Sequence, residues 1–136
     1  MARRQVAAAT GGTLILDAEG VAKAAVNDQR VVAHLAVALR RQAHVVVSAV
    51  TLAEVLRGSR RDAPAHRVLS RVNTEPVTEY LGRTAGALLG STHLPGTATI
   101  DAIVAATALD QPILTSDPSD LTTLTEGRDD VAVAHV

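Results

Sequence analysis

The sequence predicts an α/β fold, a three-layer α/β/α sandwich with a central parallel sheet, and three observations carry that reading. Short aliphatic runs alternate with longer stretches of helical periodicity. The runs are continuous, as in Leu14-Ile15-Leu16 and Val45-Val46-Val47, which suits strands buried on both faces. Acidic residues recur where an apolar run ends and a helix begins.

The elements follow in order. Residues 13–16, after Gly11-Gly12, form a buried strand. Residues 21–27 form a short helix. A clearer helix covers 31–43, with Val31, Val32, Leu35, Ala36 and Leu39 at helical spacing. Residues 45–48 are the second strand, 51–58 and 64–72 two helices, and 75–78 a weaker strand. Leu81, Ala85, Leu88 and Leu89 mark a helix over 79–90. Pro95-Gly96 makes a turn, and Ile100, Ile103, Val104 and Ala108 give the next helix its apolar stripe. Residues 112–115 are a strand, 118–124 a short helix and 131–135 a last strand. Residues 1–12 read as a loose tail and 13–136 as one domain.

Composition narrows the function. At 136 residues the chain is long enough for a real core. Its apolar content comes from aliphatic side chains; there is no Phe or Trp, and Tyr80 is the one Tyr. Aromatic base-stacking platforms are therefore excluded. The absence of Cys removes disulfides, zinc–thiolate sites and a thiol nucleophile. The net charge of −1 gives no global field that would advertise a nucleic-acid partner. No apolar run reaches the roughly 18 residues of a membrane helix. Met1-Ala2-Arg3-Arg4 is charged like the start of a signal peptide, but residues 5–10 are too short and polar to continue one. A cytoplasmic location, away from membranes, is expected.

Four acids stand where an apolar run ends and a helix begins: Asp17, Glu54, Asp101 and Asp117. In a parallel sheet such junctions line one crevice, so residues distant in sequence converge there. Carboxylates gathered in one place repel each other unless a cation joins them, and oxygen-only ligands suit Mg²⁺ or Mn²⁺. That combination points to a metal-dependent enzyme acting on phosphate esters. Each acid also has a structural reading. Thr51-Leu52-Ala53-Glu54 fits a capping box, and Asp117-Pro118 fits a helix start. Asp101 suits the positive end of a helix dipole, and Asp17 suits a cap. Capping does not exclude ligation, because a cap fixes the side chain's rotamer. Asp17 and Asp101 lie in otherwise apolar stretches, where an unpaired carboxylate is costly.

The order of short motifs resembles the PIN-domain ribonucleases, most closely the VapC-type toxins of bacterial toxin–antitoxin pairs. The motifs are Leu16-Asp17-Ala18; Ser48, Thr51 and Glu54 followed by Leu56-Arg57-Gly58; Asp101 opening a late helix; and Leu114-Thr115-Ser116-Asp117-Pro118 with Asp120-Leu121. The likeness runs from about Thr13 to Val136. It implies a PIN-like fold and a metal-dependent endoribonuclease, with Asp17, Glu54, Asp101 and Asp117 as its acids and Thr115 as a supporting hydroxyl. Asp17 and Asp101 would be the primary metal ligands. Glu54 would position water or act as base, and Asp117 would complete the shell. One or two ions would serve, a pair standing about 3.5–4 Å apart. Glu19 departs from the family's usual small or polar residue two after the first Asp, which leaves its role open.

Substrate RNA needs positive charge nearby. Arg57, Arg60, Arg61, Arg67 and Arg71 follow Glu54, with Arg57 and Arg60 the candidates for RNA contact. The alternative for these arginines is a solvated helix face. The resemblance further implies a cognate antitoxin protein and a homodimer. The wide apolar arc of the helix over 31–43, with residues 21–26, offers a groove for an antitoxin helix; the alternative is a helix packed on two sides within the monomer. A signalling receiver domain fits poorly, since Lys23 is the only lysine. A catalytically silent PIN-like module that binds RNA or protein is the other alternative.

Overall fold

A computed structural model describes residues 12–108 and the course of two further strands within 112–115 and 132–135. Five strands form one sheet: β1 (Thr13–Leu16), β2 (His44–Ser48), β3 (Asn73–Glu75), β4 (Pro112–Thr115) and β5 (Ala132–His135). All neighbouring strands are parallel, in the order β3-β2-β1-β4-β5. The helices are α1 (Ala18–Ala25), α2 (Gln29–Arg40), α3 (Ala49–Val55), α4 (Ala63–Leu69), α5 (Glu79–Thr92) and α6 (Thr99–Thr107). The expected three-layer α/β/α architecture is therefore present. The predicted helix over 118–124 lies outside the described residues.

Side-chain alternation along the strands divides the core in two. Leu14, Leu16 and Val47 point to the layer of α1 and α2, where Val21, Ala24, Val31 and Ala38 are buried. Ile15 and Val46 point the other way, against Ala85 of α5 and Ala102, Val104 and Ala105 of α6. Each fully buried Leu, Ile or Val contributes about 1.5–3 kcal/mol. Strands apolar on both faces are thus what allows helices to cover both sides.

Helix ends differ from the sequence expectation for identifiable reasons. Asp28 caps α2 by accepting from the amides of Arg30 and Val31 at 3.0 and 3.2 Å, so this helix starts before Val31. It stops at Arg40 because Gln42 turns left-handed, with φ 56°. The amides of Gln42 and Ala43 then return to the carbonyls of Leu39 and Ala38, a Schellman closure. Asn27, with φ 57°, ends α1 in the same way. The third strand occupies Asn73–Glu75, earlier than expected.

Between α3 and α4 the chain makes a tight loop organised by one carboxylate. Asp62 Oδ2 accepts from the amides of Arg57, Gly58 and Ser59 at 2.9, 2.7 and 3.3 Å. Gly58 takes a φ of 78°, a conformation that favours glycine. Ser59 and Asp62 also form a capping box around the short 3₁₀ turn Arg60–Asp62. The amide of Arg57, then those of Gly58 and Ser59, hold the Asp62 carboxyl below its ordinary value. A carboxyl lowered in the folded state stabilises the fold above its unfolded pKa, and that stability is lost as pH falls through the folded value. Replacing Asp62 with Ala will lower the melting temperature at pH 7, and the gap from wild type will close only at pH values below 3.8. Circular dichroism melts across pH check this; equal melting temperatures at pH 7 would refute the role of Asp62.

Candidate metal and phosphate site

The strand order reverses between β1 and β4, so the crevice outside their carboxyl ends is the switch point where ligands bind in such sheets. Leu16 pairs with Val47 on one side and Leu114 on the other. The next residue on each strand is Asp17, Ser48 or Thr115, so these three stand level at the crevice edge. Strand order and register thus place Asp17 at the switch point, as the residue where β1 ends and α1 begins.

Asp17 caps α1. Its Oδ1 accepts from the amide of Gly20 at 2.8 Å, and the residue is 8 % exposed. The cap fixes the carboxylate's rotamer, and the α1 dipole favours its charge. Asp101 stands in the first turn of α6, whose N-cap residue, Ala98, supplies no side-chain hydrogen bond. Glu54 lies near the end of α3, half-buried. The capping box expected for Thr51 and Glu54 does not form. Ser48 caps α3 instead, accepting from the amide of Val50 at 3.3 Å, and this places Thr51 inside the helix. Glu54 is thereby left available to the crevice.

Electrostatics link these acids. Burial pushes the Glu54 carboxyl above its ordinary value, and the charges of Asp101, Asp17 and Glu19 push it further, in that order. Screening in salt water confines such effects to short range. Asp17 and Asp101 thus lie within reach of Glu54 for their charges to act on it, and Glu19, left open by the sequence, adds its charge from the first turn of α1. Asp117 lies outside the described residues. Thr115 is described only as the last residue of β4.

Among the described residues, no three His, Asp or Glu side chains form a group that could by itself hold a metal ion. Such an enclosure is not what Mg²⁺ requires; it keeps several waters and is bound through one or two carboxylates. Asp17, whose rotamer its cap sets, and Asp101, which acts with it on Glu54 by charge, are carboxylates of the kind such a cation takes. The donors are all oxygen, which suits Mg²⁺ or Mn²⁺ over softer metals.

Arg57 sits at the end of the helix that carries Glu54. Its Nη1 donates to the carbonyls of Ala53 and Leu56 at 2.9 and 2.8 Å, closing the C-terminus of α3. The Asp62 loop presents Arg60 and Arg61 beside it, both exposed. Sequence reading missed Asp62, although Ser59-Arg60-Arg61-Asp62 carries the spacing of a capping box.

No protein-family model matches the sequence, and no curated protein matches it. Solved structures do match its fold. The VapBC2 complex of Rickettsia felis, bound to a DNA fragment from its promoter, superposes with a TM-score of 0.71 at 13% identity, covering 91% of this chain and 98% of the matched chain. A toxin–antitoxin complex of Klebsiella pneumoniae gives 0.68 at 19% identity, over 90% and 99%. The VapBC-5 member from Mycobacterium tuberculosis gives 0.55 at 25% identity, over 91% and 98%. The shared architecture therefore spans nearly the whole chain.

The raised Glu54 carboxyl has a testable sign. An acid whose pKa is higher in the folded state stabilises the fold below its unfolded pKa, and that contribution is lost as pH rises through the folded value. Glu54→Gln removes the buried charge, so in EDTA it will melt above wild type at pH 7, with the difference vanishing below pH 4.5. Melting curves between pH 3 and 8, on the order of one per unit, measure it. A variant that melts below wild type throughout would mean that Glu54 is stabilised in place.

Proposed function

We propose, from the premise that this chain has the fold of the VapC-type PIN-domain toxins, that it is a metal-dependent endoribonuclease and the toxin of a type II toxin–antitoxin pair. The observation that supports the proposal is that Asp17 follows β1 at the switch point of the parallel sheet and that the charges of Asp101 and Asp17 act on Glu54. Asp17 and Asp101 would hold Mg²⁺ or Mn²⁺. When bound, such an ion lowers the pKa of water and offsets charge on a phosphodiester undergoing in-line attack.

The chain's own residues have separable parts. Asp17, locked by its cap, orients one carboxylate. Asp101 supplies a second from another helix. Glu54, with its raised pKa, is suited to take a proton from the attacking water. Asp117 would complete the acidic shell and Thr115 would support it. Arg57 and Arg60 would meet RNA phosphates, Arg57 from the end of α3 and Arg60 from the loop that Asp62 organises.

The partner half of the proposal rests on surface composition. Val26 and Leu39 are 75% and 79% exposed, and Val32 is 44% exposed. Together they give α2 and the end of α1 an apolar outer face. In contrast, Leu35 packs against the inner core. An antitoxin's amphipathic helix would cover such a face, and a homodimer in the cytoplasm would be the working form. Among the described residues no helix is long and apolar enough to cross a membrane.

The test is cleavage of RNA by purified protein with Mg²⁺ or Mn²⁺ and its suppression by EDTA. Asp17→Asn and Asp101→Asn should each abolish cleavage while leaving the fold intact, because charge is removed without loss of volume. Wild-type turnover in either variant would remove that residue from the site. No turnover in the wild type with either ion would favour the silent binding module.

A further inference from the structure

Thr51 is fully buried, and its Oγ1 has no hydrogen-bond partner among the described residues. A buried hydroxyl without a partner destabilises the fold, whereas an apolar group of the same shape is neutral or stabilising. Valine would fill the same space. The hydroxyl therefore calls for a reason outside packing.

Its position supplies one. Ser48, Thr51 and Glu54 are spaced three apart along the cap and body of α3, so they form one polar ridge. The adjacent ridge, Leu52 and Val55, packs into the core beneath α1 and α2. α3 touches both α1, which Asp17 caps, and α6, which carries Asp101 in its first turn. Thr51 thus stands one turn before Glu54, inside the packing that brings the acids together. Ser48 on the same ridge is equally buried but has its own task as the α3 cap. Among the described residues, the other buried side-chain atom without a partner, Nε2 of His44, lies at the first residue of β2, the opposite end of the sheet.

We propose that Thr51 is a positioning residue for the acid cluster, its hydroxyl donating to a carboxylate of that cluster when a divalent cation draws the acids together. This rests on the reading of the crevice as a cation site. Residues that orient metal ligands change metal affinity by about 10–100-fold when removed. They need not stabilise the metal-free protein, and here the hydroxyl opposes it.

The experiment is a Mn²⁺ titration followed by the melting temperature, run on wild type, Thr51→Val and Thr51→Ser. Thr51→Val should melt at or above wild type in EDTA, yet need on the order of ten-fold more Mn²⁺ for half-maximal stabilisation. Thr51→Ser keeps the hydroxyl and loses a buried methyl, so it should melt lower in EDTA while keeping the wild-type Mn²⁺ requirement. An unchanged Mn²⁺ requirement in Thr51→Val overturns the role of Thr51 alone. So does a clear fall in its melting temperature in EDTA, which would mean that the hydroxyl is already paired. No response to Mn²⁺ in the wild type overturns both this role and the cation site.

Discussion

Like charge at one end of a parallel sheet is the constraint around which this molecule is arranged. Asp17, Glu54 and Asp101 come from three helices, and Glu19 adds a fourth charge. Nothing about their mutual repulsion favours folding. What holds them near one another is the two-sided core, in which Leu16, Ile15 and Val47 fix the strands and Val21 and Ala102 fix the helices. Apolar burial thus sets the positions, and the charges accept them. A cation that joins such acids turns an opposing interaction into a favourable one.

Local backbone features refine that placement. The Asp17 cap ties the first acid to α1. The Ser48 cap starts α3 early enough to leave Thr51 within the helix and Glu54 toward its end. The Arg57 guanidinium closes the same helix, and the Asp62 carboxylate fixes the loop that follows. Glu54 and the basic loop therefore share the C-terminal end of α3. A change in the length of α3 would move both.

Much of this was legible in the sequence because burial on both faces leaves a strong trace. Leu14-Ile15-Leu16 and Val45-Val46-Val47 could hardly be anything but interior strands, and an acid placed just after such a strand has one crevice to enter. Helix ends were less legible. Asn27 and Gln42 end their helices by turning left-handed, which needs no Gly or Pro to announce it. The Thr51–Glu54 spacing imitates a capping box, but Ser48 lies nearer the end of the strand and takes the cap first. Glu19 could not be placed from spacing, since its effect on Glu54 depends on how α1 and α3 pack. Thr51 looked like a cap in the sequence; only its burial without a partner raises the question of what its hydroxyl serves.

The central claim is that a divalent cation belongs among these carboxylates. An anomalous difference map from crystals of the metal-free protein soaked in Mn²⁺ tests it most directly. The expected result is a peak at coordination distance, about 2.0–2.2 Å, from carboxylate oxygens of Asp17 and Asp101, with Glu54 beside it. A map with no peak in that crevice, or with manganese only at other surface carboxylates, would contradict the claim.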